Sequence, residues 1–254
     1  MEQTIVQAQI PTIKLKAELA RRRLLDFVKF CWPKPEPYIV GTHTRAICAR
    51  IDRALEGYRK GISTFLTIKV PPRHGKSVLV SEYLPAKFLG EFPEADVIVA
   101  SYAASLAHQF SKASRNHMRG DRYRMVYPEI NLSKDEQSVE VWGIDGHGGK
   151  ANWAGIGGSL TGKGSNLSIM DDPFKGREDA ESQVMRNKIW ESFTNDLMTR
   201  RAPVTIVIVM GTPWHVDDVF GRIKAKMDAD DKFPRFEDLK FPAFRQLSRR
   251  HTLP

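Results

Sequence analysis

The segment P-P-R-H-G-K-S at residues 71–77 contains residue types that bind the phosphates of a nucleotide. Gly75, Lys76 and Ser77 separate a short apolar run from a second apolar run that is long enough for a helix. In such a strand–loop–helix arrangement, backbone N–H groups face the anion, the lysine reaches the phosphates and the hydroxyl ligates Mg²⁺. The usual pattern has a glycine five positions before Gly75, where this chain has Val70, so an ordinary turn is the alternative. The residues of the predicted loop are Pro72, Arg73, His74, Gly75, Lys76, Ser77 and Val78.

Two further apolar runs, both predicted to be strands, also end in polar residues. Asp171 and Asp172 follow one of them, and Gly211 and Thr212 follow the most hydrophobic run of the chain. Ligands of open α/β sheets bind at the carboxyl ends of the strands. We therefore expect the polar groups of all three strand ends to converge, against the alternative that the two aspartates form a solvated turn.

These residue types match the requirements of phosphoryl transfer to water. That reaction needs a lysine for the phosphate charge, a Mg²⁺ held by a hydroxyl and an aspartate, and a carboxylate that orients or deprotonates the water. Lys76, Ser77, Asp171 and Asp172 supply this set. The sequence therefore predicts a nucleotide-hydrolysing site.

The elements that must position these residues alternate between strand and helix, which predicts an α/β fold with a mostly parallel central sheet flanked by helices. An N-terminal helical segment precedes the first strand, after a loose arm at residues 1–13. Nine glycines at 143–164 predict a long loop or hairpin. Helices are predicted at 15–30, 42–59, 78–89, 103–118, 178–199 and 217–227, and strands at 65–70, 96–100, near 139–142, at 167–170, 204–210 and, more weakly, 236–241.

Composition limits the possible partners. The 254 residues carry a net charge of +9, which favours a polyanionic partner such as nucleic acid over the alternative of an inert basic surface. The two cysteines, Cys31 and Cys48, have neither metal-site spacing nor the number for a disulfide framework. No apolar run approaches the roughly 20 residues of a membrane span, and the N-terminus does not read as a signal peptide.

Three segments resemble the ATPase domain of the large terminase subunit, the DNA-packaging motor of tailed bacteriophages and related viruses. They are P-P-R-H-G-K-S (71–77), G-G-S-L-T-G-K-G-S-N-L-S-I-M-D-D-P (157–173) and G-T-P-W-H-V-D-D (211–218), and they span about 60% of the chain. The resemblance implies a P-loop NTPase fold of the ASCE type, with ATP and Mg²⁺ as cofactors. It also accounts for the missing glycine, because the Walker A loop of this family deviates from the usual pattern. In this loop Arg73 is expected to contact phosphate.

The resemblance assigns roles to the other strand ends. Asp171 corresponds to the Walker B aspartate, which holds Mg²⁺ together with Ser77. Asp172 corresponds to the catalytic carboxylate, although many relatives have the longer glutamate there. Gly211 and Thr212 match the coupling motif, in which a hydroxyl can sense the γ-phosphate.

Terminase-like motors are rings in which a basic residue of the next subunit is thought to complete each site. The position that commonly holds this arginine is Lys163 here. Because lysine lacks the bidentate fork of a guanidinium, Lys163 is one candidate together with Arg115 and Arg119. The alternative is that all three are surface charges.

The resemblance implies translocation of double-stranded DNA into a procapsid in the host cytoplasm, with a portal protein and a small terminase subunit as partners. Large terminase subunits continue into a nuclease domain, whereas a short basic tail follows Asp218, so no nuclease activity is expected of this chain. The expected division is 1–60 for the N-terminal arm and helices, 61–227 for the ATPase core and 228–254 for a tail or linker. The alternatives are a nucleotide-dependent ring-assembly module and a helicase-like ATPase.

Overall fold

The computed structural model describes residues 2–158 and 164–242, with side chains from residue 12 onwards. In this range eight strands form one sheet in the order β3-β4-β5-β2-β6-β7-β1-β8. The strands are β1 (Thr64–Lys69), β2 (Val97–Ser101), β3 (Leu132–Gln137), β4 (Val141–Ile144), β5 (Lys150–Gly155), β6 (Ser165–Asp171), β7 (Arg201–Gly211) and β8 (Glu237–Lys240). Only the pairings β3–β4 and β4–β5 are antiparallel among these strands, so the predicted mostly parallel sheet is confirmed.

Helices cover both faces of the sheet. They are α1 (Glu2–Arg22), α2 (Leu24–Cys31), α3 (Thr42–Arg59), α4 (Leu84–Glu91), α5 (Ala104–Arg119), α6 (Asp121–Val126), α7 (Arg177–Glu181), α8 (Gln183–Glu191) and α9 (Val219–Ala229). Two π-helical segments, Val78–Tyr83 and Ser192–Met198, lie before α4 and after α8. No helix of the described residues is long and apolar enough to span a membrane.

The alternation of side chains along the central strands produces two hydrophobic clusters. On β7, Ile206 and Ile208 belong to the cluster that contains α2, α3 and α5, whereas Val207 and Val209 belong to the cluster that contains α8 and α9. Successive strand residues point to opposite faces, so a continuous apolar run is expected wherever both faces are covered. The burial of β7 on both faces confirms that it lies near the centre of the sheet.

The strand order separates two strands that carry predicted site residues. β7 pairs in parallel with both β1 and β6, and it therefore lies between the strand that leads into the G-K-S loop and the strand that ends in Asp171. Because all three strands are parallel, their carboxyl ends meet at one edge of the sheet. The site is built at this edge.

The N-terminal region differs from the sequence prediction. The backbone from Glu2 onwards is helical, so the prediction of a loose arm is wrong. The helix predicted at 15–30 is interrupted at Arg23, whose φ of −128° and ψ of 134° are extended. Asp52 of α3 accepts a hydrogen bond from the Leu24 amide at 2.8 Å, and this contact satisfies a free N–H group at the start of α2.

Two other regions also differ from the prediction: the glycine-rich region contains a buried strand, and the helix predicted at 178–199 is divided into shorter helices. The glycine-rich region contains β5, which pairs antiparallel with β4, so the hairpin alternative of the prediction is confirmed. What was not predicted is that Ala151 and Trp153 of β5 are buried and that the strand also pairs in parallel with β2. The single helix predicted at 178–199 is divided at Ser182, whose hydroxyl accepts a hydrogen bond from the Met185 amide and begins α8. The strand β3 carries mainly polar residues and was not predicted.

Candidate nucleotide-binding site

The loop between β1 and the first π-helical segment has a strained backbone. Arg73 and Gly75 have φ angles of 62° and 71°, in the left-handed region that favours glycine. A non-glycine residue in this region costs on the order of 1–2 kcal/mol, and such strain is concentrated at ligand-binding sites. The His74 carbonyl accepts a hydrogen bond from Nε2 of His43 at 2.9 Å, which ties the loop to the start of α3. A neighbouring helix therefore helps to hold the loop in this backbone conformation.

Lys76 lies at the base of this loop and is paired with Asp172. Its Nζ is 2.6 Å from Oδ2 of Asp172, and the lysine is only 5% exposed. The Asp172 side chain retains partial exposure, and its φ of 43° turns the chain sharply at the end of β6. The structure thus brings together the predicted phosphate-binding lysine and the predicted catalytic carboxylate.

Asp171 points to the opposite side of β6 and is fully buried. Its Oδ2 accepts a hydrogen bond from Ser81 Oγ at 2.8 Å, whereas Oδ1 has no hydrogen-bond partner in the described part of the chain. Burial raises the pKa of Asp171 to about 7, and the negative charge of Asp172 also raises it. Lys76 and the hydroxyls of Ser81 and Ser77 lower this pKa, since they favour the carboxylate form.

The donor set around Asp171 fits Mg²⁺. The free Oδ1 and the Ser77 hydroxyl are hard oxygen ligands, which Mg²⁺ prefers, and a buried carboxylate oxygen without a partner is unusual in a folded protein. The described residues contain no group of three or more His, Cys, Asp or Glu side chains that could hold a metal by themselves. Mg²⁺ is usually held by one or two protein ligands together with phosphates and water.

The end of β7 contacts both other strand ends. Thr212 Oγ1 donates a hydrogen bond to the Val70 carbonyl at 3.2 Å, and the Val70 amide donates to the Gly211 carbonyl at 3.1 Å. A Cβ atom at Gly211 would lie 3.1 Å from Oδ1 of Asp172 and 3.3 Å from Cδ of Pro173. A side chain at this position would therefore require Asp172 or Pro173 to shift slightly.

The turn after Thr212 is held by a buried aspartate. Asp218 accepts hydrogen bonds from the amides of Trp214 and His215 before it and from those of Phe220 and Gly221 at the start of α9. His215 Nδ1 accepts from the amide of Asp217. The segment G-T-P-W-H-V-D-D therefore forms a self-capped turn that fixes the exit from β7.

The remaining predicted residues are less constrained. Arg73 is exposed and has no hydrogen-bond or ion-pair partner among the described residues, so its guanidinium is available to a ligand. Arg115 is buried and donates to the Gln137 carbonyl at 2.6 Å, while the exposed Arg119 donates to Oε1 of Gln137 at 3.2 Å. Lys163 lies outside the described residues.

Sequence reasoning missed two side chains that shape the site. Ser81 holds Asp171, and His43 holds the carbonyl of His74. The position of Ser81 one helical turn after Ser77 is a signal that could have identified it, because residues four apart share a helix face. His43 lies 31 residues before His74, and no local pattern connects the two.

The fold and the site together define the class of protein. A G-K-S loop after β1, an aspartate at the end of β6 and a strand interposed between β1 and β6 fit a P-loop NTPase of the ASCE type, with the loop and Asp171 at the positions predicted for the Walker A and Walker B motifs. A family model described as "Terminase large subunit, T4likevirus-type, N-terminal" matches residues 68–252, and the chain belongs to this family. The resemblance drawn from the three sequence segments is thereby confirmed.

One solved structure shows a similar fold at low sequence identity. The crystal structure of the bacteriophage HK97 large terminase is similar with a TM-score of 0.55 and 11% identity, over 89% of this chain and 44% of that chain. The chain therefore corresponds to less than half of the HK97 protein. A variant of the large terminase ATPase domain of Thermus phage P74-26 gives a TM-score of 0.43 and 13% identity, over 74% of this chain and 69% of that one. None of the curated proteins compared matches this chain.

Proposed function

We propose that this chain is the ATP-hydrolysing motor domain of a viral terminase large subunit, which drives double-stranded DNA into a procapsid. The observation that carries the proposal is the convergence of Lys76, Asp171 and Asp172 at one edge of the sheet, with Lys76 Nζ 2.6 Å from Asp172. A lysine, a hydroxyl beside a buried carboxylate, and a second, accessible carboxylate are the groups that ATP hydrolysis requires.

Each side chain has a distinct role in this proposal. Lys76 and the N–H groups of the loop from Pro72 to Val78 bind the phosphates, and the exposed Arg73 guanidinium adds a charge-assisted contact to them. Asp172 orients the attacking water once Lys76 turns to the nucleotide. Thr212, which is bonded to the start of the loop, couples the state of the loop to β7.

Ser77 and Asp171 are the proposed protein ligands of Mg²⁺. When bound with ATP, the ion neutralises charge on the transferred phosphoryl group. The proton that Asp171 retains up to a pKa of about 7 must leave before its oxygen can act as a ligand. Metal binding at this position is therefore expected to release a proton near neutral pH.

Hydrolysis of ATP by the purified chain tests the proposal. We expect Mg²⁺-dependent phosphate release, and we expect Lys76→Ala to abolish it, since the variant loses the charge that binds the phosphates. Lys134→Ala, on the exposed face of β3, is the matched control and should keep the parent rate. Equal rates in the parent and in Lys76→Ala would place the activity elsewhere.

Two alternative functions remain distinguishable from the motor. A nucleotide-dependent ring-assembly module needs a Mg²⁺ aspartate but no second carboxylate, so the pair Asp171–Asp172 favours hydrolysis. A helicase-like ATPase would be stimulated by single-stranded nucleic acid. Stimulation of turnover by double-stranded DNA alone would support the motor, and stimulation by single strands alone would support the helicase-like reading.

Charge supports DNA as the polymer. Residues 12–60 contain twelve Lys and Arg against five Asp and Glu, and Lys29, Arg45 and Arg53 are exposed without an ion-pair partner in the described residues. Binding dominated by phosphate contacts should weaken linearly on a log–log plot against salt concentration and show little dependence on DNA sequence. A portal protein and a small terminase subunit are the proposed protein partners, at the procapsid in the host cytoplasm.

We further propose that the active form is a ring, in which a neighbouring subunit supplies a basic residue. Among the described candidates Arg119 suits this role better than Arg115, because Arg115 is buried against β3. In the proposed division, residues 1–60 pack on an ATPase core at 61–227, and 228–254 begins a linker that contributes β8 to the sheet. Turnover per subunit that rises with protein concentration would support ring activation, and constant turnover in a proven monomer would refute it.

A further inference from the structure

We propose that Ser81 is a positioning residue for Mg²⁺ binding, which acts by holding one oxygen of Asp171 and leaving the other free as a ligand. The inference rests on the proposed function, because it assumes that Asp171 binds the metal of a Mg-nucleotide complex. It adds a residue outside the loop from Pro72 to Val78 to the group that determines metal affinity.

The contact is specific and enclosed. Ser81 Oγ donates to Asp171 Oδ2 at 2.8 Å, and both residues are fully buried. Oδ1 of the same carboxylate has no hydrogen-bond partner in the described part of the chain. One oxygen is therefore used to fix the side-chain orientation, and the other is left for a ligand.

The helix after the loop places two hydroxyls next to this carboxylate. Ser77 and Ser81 are four residues apart, so they lie on the same side of the helix, and both influence Asp171. The helix is widened here: the Leu84 amide donates to the Leu79 carbonyl, five residues back, and Pro85 has no N–H to donate to the Ser81 carbonyl. Widened turns of this type occur frequently at functional sites.

The two hydroxyls have different exposures, which separates their roles. Ser77 lies at the end of the loop and is partly exposed, as a residue that contacts a ligand must be. Ser81 is fully buried behind it and cannot contact the nucleotide itself. Its hydroxyl can act only through Asp171, in the manner of the outer-shell partners that orient the ligands of other metal sites.

Nucleotide binding with and without Mg²⁺ tests this role independently of hydrolysis. A fluorescent ADP analogue is titrated into the parent, Ser81→Ala and Ser81→Cys, once with excess Mg²⁺ and once with EDTA. Replacement of an outer-shell partner typically reduces metal affinity by about 10–100-fold. We expect Ser81→Ala to lose about that factor of Mg²⁺-dependent tightening and to keep the parent affinity in EDTA. Ser81→Cys, which has a weaker donor of similar size, should lie between the two.

Ser114→Ala is the matched control, because Ser114 is also a fully buried serine on a helix, and its hydroxyl has no partner among the described residues. It should bind the analogue as the parent does, with and without Mg²⁺. Parent-like Mg²⁺ dependence in Ser81→Ala, or an equal loss in Ser114→Ala, would overturn the inference. If Ser81→Ala does not fold, parent-like Mg²⁺ dependence of nucleotide binding in Ser81→Cys would overturn the inference. A parent that binds no nucleotide in either medium would instead refute the proposed function.

Discussion

The two carboxylates at the end of β6 are neighbours in the sequence but lie in opposite environments. Asp171 faces the helix after the loop, where it is fully buried between hydroxyls, whereas Asp172 faces β7 and the solvent, where it pairs with Lys76. Asp171 is the last residue of β6, and the φ of 43° at Asp172 turns the chain away from the strand. A single step along the backbone therefore separates a fully buried carboxylate from a partly exposed one.

The comparison shows how two identical side chains acquire different tasks. Desolvation dominates at Asp171, where it raises the pKa to about 7, so a cation is needed to keep the carboxylate charged at neutral pH. At Asp172 the cation is already present in Lys76, which the nucleotide must draw away. In the proposed mechanism, position relative to the sheet, rather than residue type, assigns Asp171 to the metal and Asp172 to the attacking water.

The largest expected effect on turnover comes from neutralising Asp171 and Asp172 in separate variants. Asp172→Asn should reduce turnover by roughly 10²-fold or more, the scale of a lost general base, while Mg-nucleotide binding persists. Asp171→Asn should reduce both turnover and the Mg²⁺-dependent part of nucleotide affinity. Phosphate release and calorimetric titration of an ATP analogue measure the two quantities. Equal losses of affinity in both variants would contradict the division of roles.

A smaller effect is expected on stability as a function of pH in metal-free protein. An unfolded Asp loses its proton near pH 4, whereas burial raises the pKa of Asp171 to about 7 in the folded state. Between these values the folded state binds more protons, so the free energy of unfolding should fall as pH rises, by at most about 1.4 kcal/mol per pH unit. Above about pH 7 this loss is complete.

Urea denaturation in EDTA at several pH values measures this effect as the difference between the parent and Asp171→Asn. The variant has no proton to lose at this position, so its stability advantage over the parent should grow from pH 4 to pH 7 and then remain constant. Asp217→Asn is the control, because Arg222 and Arg186 hold the pKa of Asp217 at about 2, below this window. If the free energies of unfolding of the parent and of Asp171→Asn differ by the same amount at every pH, Asp171 is ionised throughout this range.

The same comparison shows which parts of the structure the sequence could predict. The helix at Thr42–Arg59 and the strand ends at Lys69, Asp171 and Gly211 follow from local patterns, namely helical spacing and apolar runs that stop at polar residues. Both aspartates could be placed at the site for this reason. Their opposite environments could not be predicted, because a left-handed turn at a non-glycine residue has no reliable sequence signal.

Contacts distant in sequence account for most of the errors. The break at Arg23 depends on Asp52 from another helix, and β5 depends on pairing with β2. The glycines around β5 agree with the predicted hairpin but did not indicate that the strand is buried in the sheet. A Cβ atom at Gly149 would lie 2.2 Å from the Pro93 carbonyl oxygen, so glycine there permits close packing. The break at Ser182 could have been predicted from the sequence, since serine is a common helix N-cap.

A several-fold effect is expected from the ion pair between Lys76 and Asp172. In metal-free protein this pair competes with phosphate for the lysine, because Lys76 Nζ lies 2.6 Å from Asp172. Asp172→Asn should therefore bind an ADP analogue several-fold more tightly than the parent in EDTA. This factor corresponds to about 1 kcal/mol, below the usual range for charged hydrogen bonds because the Asp172 side chain is partly exposed. Asp217→Asn, which removes a carboxylate that pairs with Arg186 and Arg222 instead of Lys76, should leave the affinity unchanged. Weaker binding by Asp172→Asn would show that Asp172 does not restrain the lysine.

The smallest expected effect is steric and is confined to the Asp172 side of β6. In Gly211→Ala the new Cβ would lie 3.1 Å from Asp172 Oδ1, which is closer than ordinary van der Waals contact, so Asp172 must shift by a few tenths of an ångström. Because a misplacement of about 1 Å can cost about 10²-fold in rate, this smaller shift should reduce turnover several-fold. Mg-nucleotide affinity should not change, since Asp171 and its hydroxyls lie on the other side of the strand. Gly57→Ala is the matched control, because a Cβ there would have only ordinary contacts of 3.6 Å or more. Steady-state turnover reports on Asp172, and Mg²⁺-dependent binding of a nucleotide analogue reports on Asp171. A loss of Mg²⁺-dependent affinity in Gly211→Ala would show that the two carboxylates are positioned as one unit.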